Sequence, residues 1–381
     1  MSATRAMDPH QSAVLLDDAD PSPLFTPFDL RGLHLANRFV MAPMTRNRSP
    51  GGVPGDDVVE YYRRRARHLG LIVTEGALID HPSAGSDSAV PHLYGTEARE
   101  GWTRVVEAVH REGGRIVAQM WHLGGMRAPG RPPHPEAPVV TPSGIDGSGS
   151  RVGRPATAAD IDAIIAAYAR SARFAAAAGF DGIEVHGAHG YLLDQFLWSA
   201  TNRRTDDYGG TPTQRARLSA EVVSALRDAV GPDFPILFRY SQWKATDYNA
   251  RVAESPQTLD ALLSPLVAAG VDAFHVSTRR YWLGAFEGDP RTLAGWTKSL
   301  TGLPTIALGS VGVTTSFGGE ESGAQSLSIA PLIELFERGE FDLVGLGRAV
   351  LSDPGWPTKL RERRHGEIRQ YQKGHESQGL R

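Results

Sequence analysis

Short runs of continuous apolar residues, rich in β-branched types, recur along the chain, each followed by a longer stretch with helical spacing. They fall near 39–43, 71–76, 115–122, 182–187, 235–241, 272–277, 304–310 and 341–348. Runs that do not alternate between apolar and polar suit strands buried on both faces, as in a parallel sheet. The helical stretches carry their own punctuation. Thr211-Pro212 opens one that closes at Gly231-Pro232, and Ser255-Pro256 opens one that closes at Gly270. Thr157 or Asp160 is placed to cap an alanine-rich segment that stops at Gly179. An oxygen-bearing side chain accepts from the first free N–H groups, proline sits where no N–H is needed, and glycine ends the last turn. Pro265 is expected to bend or interrupt its helix, because it lacks an N–H and crowds the preceding turn. Eight strands alternating with helices predict an α/β fold, a single (β/α)8 barrel. The competing solution is a doubly wound open sheet. Its dinucleotide-binding version is weakened because no G-x-G-x-x-G follows the first strand.

The longest interval, after the third strand, holds a Pro-, Gly- and Ser-rich excursion at 123–154. At the C-terminal end of a barrel strand such an excursion is expected to act as a lid or access loop over the pocket. A second polar stretch, 312–328, follows the seventh strand and is expected to be mobile. The organisation predicted is a flexible N-terminal tail over 1–22, one barrel over 23–362 and a C-terminal tail over 363–381.

Composition narrows the function classes. With 41% hydrophobic and 22% charged residues among 381, the chain has the makings of a large core. Forty basic against forty-three acidic residues give a formal charge of -3 and no electrostatic reason to expect nucleic acid or an anionic membrane. No apolar run approaches the roughly 20 residues that span a bilayer. The acidic first 22 residues lack a signal-peptide core, so a cytoplasmic location is expected. With no cysteine, the chain has no disulfide, thiolate nucleophile or Cys-ligated cluster.

Catalytic groups of such barrels sit where strands end at the C-terminal face. The polar residues there are Thr45, Glu75, Gln119, His122, His186, His189, Tyr191, Arg239, Ser310 and Arg348. They are mostly hydrogen-bond donors, with one clear proton donor and no nucleophile–base pair, which is not a hydrolase's inventory. His186 and His189 alone suggest a metal, but no third ligand is placed to complete a site. The glycine turns at 307–310 and 345–348, with Arg348 as a charged fork, suit a phosphate after strands seven and eight.

Six segments in register resemble the Old Yellow Enzyme family of FMN-dependent ene-reductases: 37–49, 74–76, 119–124, 183–197, 202–210 and 345–354. The segment 277–296 suggests a less-studied branch. The resemblance covers about 25–360 and implies tightly bound, non-covalent FMN with NADH or NADPH as reductant. Pro43, Thr45 and Gly76 would line the flavin ring, Gln119 would bond its pyrimidine part, and Arg239 would place positive charge there. Gly309, Ser310, Gly347 and Arg348 would hold the phosphate. His186 and His189 match the pair that grips the oxygen of an electron-poor alkene, and Tyr191 the residue that supplies the proton. His189 stands where some members have asparagine, a change of substrate preference rather than of reaction class. Trp121, His122, Tyr281 and Trp282 are candidates for the pocket wall. The implied cycle is ping-pong, reduction by the nicotinamide first and alkene reduction second, with monomer and homodimer both open. The alternatives are a nitroester or nitroaromatic reductase using the same flavin, and a non-redox phosphate-binding barrel lyase or isomerase.

Overall fold

The computed structural model describes residues 19–313, 328–376 and 379–380. The expected N-terminal tail up to residue 18, and most of the stretch expected to be mobile at 312–328, lie outside the described residues. Eight parallel strands close into a barrel: β1 (Phe39–Met41), β2 (Leu71–Leu78), β3 (Ile116–Trp121), β4 (Gly182–His189), β5 (Ile236–Lys244), β6 (Ala273–Ser277), β7 (Thr305–Leu308) and β8 (Leu343–Leu346). Each strand pairs with its neighbour in sequence, and β8 closes onto β1 with Val344 opposite Phe39. All eight apolar runs are therefore strands of one (β/α)8 barrel, buried on both faces as their lack of alternation required.

Helices α1 (Asp56–Ala66), α2 (Thr96–Arg111), α3 (Ala158–Ala177), α4 (Leu192–Leu197), α5 (Pro212–Val230), α6 (Pro256–Ala269), α7 (Leu293–Thr301) and α8 (Ala330–Glu337) follow in chain order. Thr157 caps α3 in a box with Asp160, and Thr211 caps α5 with Gln214. Ser255 accepts from the Thr258 N–H at the start of α6. Pro265 does not interrupt α6, which runs continuously to the left-handed Gly270. One lost backbone bond is outweighed by the buried face of Leu259, Leu262, Leu263 and Leu266.

Strand parity sorts the barrel interior into layers. At the N-terminal end Val40, Leu71, Val73, Val117, Leu237, Ala273, Ile306 and Leu343 form an apolar layer. A hairpin of Phe28–Leu30 and Leu33–Leu35 plugs it from below with Leu30 and Leu35. Two residues further along the inward stripes come Gln119, Arg239 and His275, with Glu184 opposite Gln119 across β3 and β4. The core therefore turns polar just below the C-terminal mouth.

The excursion at 123–154 does not cover the mouth. It lies over α4 and the segment after it: Gly125 N–H donates to Gln195 Oε1 at 3.0 Å, and Arg203 N–H to Ser143 Oγ at 2.8 Å. Its base is tied by two short parallel strands, Val140–Thr141 and Arg154–Pro155. None of its residues lines the cavity at the barrel mouth. These bonds from backbone N–H groups hold the excursion beside α4 rather than over the pocket, where a lid was expected.

Candidate active site

A cavity of about 400 Å³ opens at the C-terminal mouth, a size typical of small-molecule sites. Its walls come from the ends of all eight strands and bring together Pro43, Thr45, Gly76, Gln119, Trp121, His186, His189, Tyr191, Arg239, Gly309, Ser310, Gly347 and Arg348.

A cluster of His186, His189 and Tyr191 is built at the end of β4. His186 is the last regular inward position, and a register shift between Gly187 and His189 turns the chain. His189 takes a positive φ of 64° and Gly190 one of 87°, conformations rare outside glycine that mark a functional turn. Tyr191 then occupies the N-cap of α4. The His186 ring lies 5.3 Å from His189 and 4.9 Å from Tyr191 by centroids, and Tyr191 meets Trp121 edge-on at 5.0 Å. Burial, reinforced by Arg239, holds both histidines well below the usual imidazole range, so both rings are neutral. The Ala188 N–H points at His186 Nδ1 at 3.4 Å, which leaves the ring proton on Nε2. His189 Nε2 meets Ser277 Oγ at 2.8 Å, and its ring lies on Trp243 at 4.3 Å. Burial raises the Tyr191 phenol, so it stays protonated through neutral pH.

Beneath this cluster lies a polar chain. Gln119 Nε2 donates to Glu184 Oε1 at 2.8 Å, and His275 Nδ1 to Glu184 Oε2 at 2.6 Å. Burial pushes Glu184 up, but His275, Arg239 and Gln119 together hold it below the usual carboxylate range. His275 is lowered by burial despite that partner and remains neutral. Glu184 is thus an anion facing the Arg239 guanidinium, which burial lowers only to about 10. Anchoring of its amide nitrogen fixes which end of Gln119 is free: Oε1, the atom a Cβ at Gly76 would approach to 3.2 Å. Sequence reasoning missed Glu184 and His275, which read as ordinary members of the runs 182–187 and 272–277; strict inward parity was the available signal.

Other predicted residues have structural positions. Glu75 Oε2 accepts from the N–H groups of Arg46 and Asn47 at 2.8 and 3.1 Å, pinning the loop after β1. His122 Nδ1 accepts from Gly124 N–H at 3.0 Å. Neither lines the cavity, nor do Trp282 and Tyr281. Tyr281, expected among the substrate contacts, instead packs edge-on against Trp282 at 4.9 Å and supports Gly309 through its backbone.

The cavity fits FMN. The Arg239 side chain is 5% exposed. Among the described residues its Nε has no acceptor and its Nη2 only a long 3.5 Å contact with Ser277 Oγ. A buried guanidinium so short of acceptors at the cavity wall calls for an electron-rich edge such as a flavin pyrimidine. A Cβ on Gly76 would stand 2.8 Å from the Trp121 ring, so only glycine leaves the adjoining wall flat. At the other end, Ser310 Oγ donates to Arg279 O at 2.9 Å and accepts from Arg348 Nη2 at 3.3 Å. Gly309, Ser310, Gly347 and Arg348 thus meet at one end of the cavity, as a phosphate requires. The segment after 363 also reaches this end: Tyr371 lies 5.3 Å under the Arg348 guanidinium, its hydroxyl donates to Glu376, and both residues line the cavity.

Residues 23–367 match the NADH:flavin oxidoreductase / NADH oxidase family. The chain is 34% identical over 367 residues to 12-oxophytodienoate reductase 7 of Oryza sativa subsp. japonica, covering 89% of this chain and 88% of that protein. An old yellow enzyme homologue from Zymomonas mobilis superposes with a TM-score of 0.75 at 25% identity over 89% of this chain and 92% of that one. Morphinone reductase in complex with tetrahydroNAD does so with 0.74 at 29%, over 89% and 90%. The fold, the cavity and these likenesses agree: the chain belongs to the NADH:flavin oxidoreductase / NADH oxidase family, the Old Yellow Enzyme family, and is an FMN-binding, NAD(P)H-dependent oxidoreductase.

Proposed function

We propose that the enzyme reduces the activated C=C bond of α,β-unsaturated carbonyl or nitro compounds. The observation that carries this reading is the convergence of two neutral histidines and a protonated tyrosine on one wall, within 5.3 Å of one another by ring centroids. FMN bound in this cavity would supply, with NAD(P)H as reductant, the hydride for the alkene's β-carbon. His186 donates its Nε2–H to the carbonyl or nitro oxygen of the substrate. His189, held by Ser277 and Trp243, shares in gripping that oxygen. Neutral donors fixed before the substrate arrives stabilise charge as it develops there without reorganising. Tyr191 then gives its phenolic proton to the α-carbon as general acid. Arg239 and Gln119 would hold the flavin. The 12-oxophytodienoate reductase name of one relative, whose substrate it describes as an oxo compound, accords with this reading.

The test is anaerobic and has two stages. NADPH or NADH is expected to bleach the flavin band of the holoenzyme, and 2-cyclohexenone or N-ethylmaleimide to restore it with formation of the saturated product. Restoration by a nitrate ester or nitroaromatic but by no enone would replace this reading with nitro reduction.

A further inference from the structure

We infer that Arg279 forms an anion-recognition point at the rim of the alkene end of the cavity, so that the enzyme favours ligands carrying a carboxylate or phosphate beyond the reacting group. The inference rests on the ene-reductase reading for what occupies that end, and goes beyond it in naming the ligand's second feature.

Among the described residues four arginines line the cavity, Arg46, Arg239, Arg279 and Arg348, against a single carboxylate, Glu376. Arg239 faces the flavin position over Glu184, and Arg348 lies at the phosphate end, stacked on Tyr371. Arg46 also reaches that end, bordering Leu351, Ser352 and His375. Arg279 is different. Its guanidinium lies flat on the Tyr248 ring at 3.8 Å, Tyr248 meets Trp243 at 5.8 Å, and Trp243 meets His189 at 4.3 Å. This aromatic ladder leads from the substrate-gripping histidine to the arginine, so the side chain serves the alkene end although its carbonyl is tied to Ser310. Among the described residues no carboxylate pairs with Arg279.

A guanidinium stacked on an aromatic face keeps its edge free, and that edge matches the two oxygens of a carboxylate or phosphate. Stacking also removes much of the rotamer freedom that an exposed arginine would otherwise lose on binding. The anion has two chemical sources: an acidic group on the alkene, or the 2′-phosphate that distinguishes NADPH from NADH.

The experiment uses the FMN-loaded wild type, Arg279→Gln and Arg279→Lys. One arm compares 3-maleimidopropionate with its methyl ester, which share a reacting ring and differ in charge. The other compares NADPH with NADH in flavin reduction. Charge-assisted hydrogen bonds of this kind correspond to about a tenfold preference or more. The expected result is that Arg279→Gln lowers kcat/KM about tenfold for the anionic member of at least one pair, leaves the neutral member within about threefold, and that Arg279→Lys restores part of the loss. A change in the maleimide arm alone assigns the anion to the alkene, and one in the nicotinamide arm alone to the 2′-phosphate. Equal losses for both members of each pair, no change in either arm, or weakened FMN retention would overturn the inference. If the wild type reduces neither maleimide, the ene-reductase reading fails, and the nicotinamide arm still decides whether Arg279 reads an anion.

Discussion

Glu184→Gln is the sharpest probe of the polar chain beneath the proposed flavin position. Glu184 is fully buried and accepts from Gln119 at 2.8 Å and His275 at 2.6 Å while compensating Arg239. Glutamine preserves its volume but offers one acceptor oxygen, so its amide nitrogen must face either Gln119 or His275. Each charge-assisted bond contributes about 1.5–3 kcal/mol, and removing one partner of a buried charge costs about 3–5 kcal/mol. The two costs overlap, because both describe the same carboxylate, so the expected destabilisation is about 3–5 kcal/mol rather than their sum. Two measurements check it. Denaturant unfolding of the apoprotein should show that loss with an unchanged m-value. The reduction potential of bound FMN should become more positive, because Arg239 then faces the flavin without its counter-charge. A loss below about 1 kcal/mol together with an unchanged potential would refute the assignment of Glu184 as the buried anion.

Three further outcomes are expected. Tyr191→Phe removes a hydroxyl for which the structure shows no hydrogen bond among the described residues; it should leave stability and flavin reduction nearly unchanged but slow alkene-driven reoxidation about 10²–10⁴-fold, and equal reoxidation rates would remove Tyr191 from its role. Burial raises Glu75 from 4.5 to about 7, so the fold favours its protonated form. The stabilisation is complete below the unfolded value and fades as pH rises through about 7. Relative to wild type, Glu75→Gln should therefore gain about 3 kcal/mol between pH 4 and pH 8, and a pH-independent difference in unfolding free energy would contradict the shift. Gly76→Ala sets a methyl 2.8 Å from Trp121 and 3.2 Å from Gln119 Oε1; FMN retention measured by filtration should drop about tenfold or more, and full retention would mean that the wall yields.

The elements legible in the sequence were those set by local chemistry. Thr157, Thr211 and Ser255 cap their helices because capping needs only the next three residues. The strands were legible because double burial leaves unbroken apolar runs. Gln119, His186, Tyr191 and Arg239 were legible as strand-end residues, a position that the barrel converts into shared space. Glu184 and His275 were hidden because a polar residue inside an apolar run acquires meaning only from the strands opposite it. Lys244 escaped notice for another reason. β5 continues past the apolar run and buries it against Asp194 at 2.7 Å, a pairing between distant segments that neither one announces. The same holds for the excursion at 123–154, whose resting place depends on α4, and for Tyr371, brought to Arg348 from the far end of the chain.

The apolar plug at the N-terminal end of the barrel governs traffic as well as stability. With Leu30 and Leu35 sealing the interior beneath the layer of Val40, Val117, Leu237 and Ile306, the site is a blind well. Whatever enters by the mouth must leave by the mouth. On the proposed function, reductant and alkene would share this one opening, and each in excess would obstruct the other. That mutual obstruction would rest on a floor of leucine and valine at the far end of the barrel.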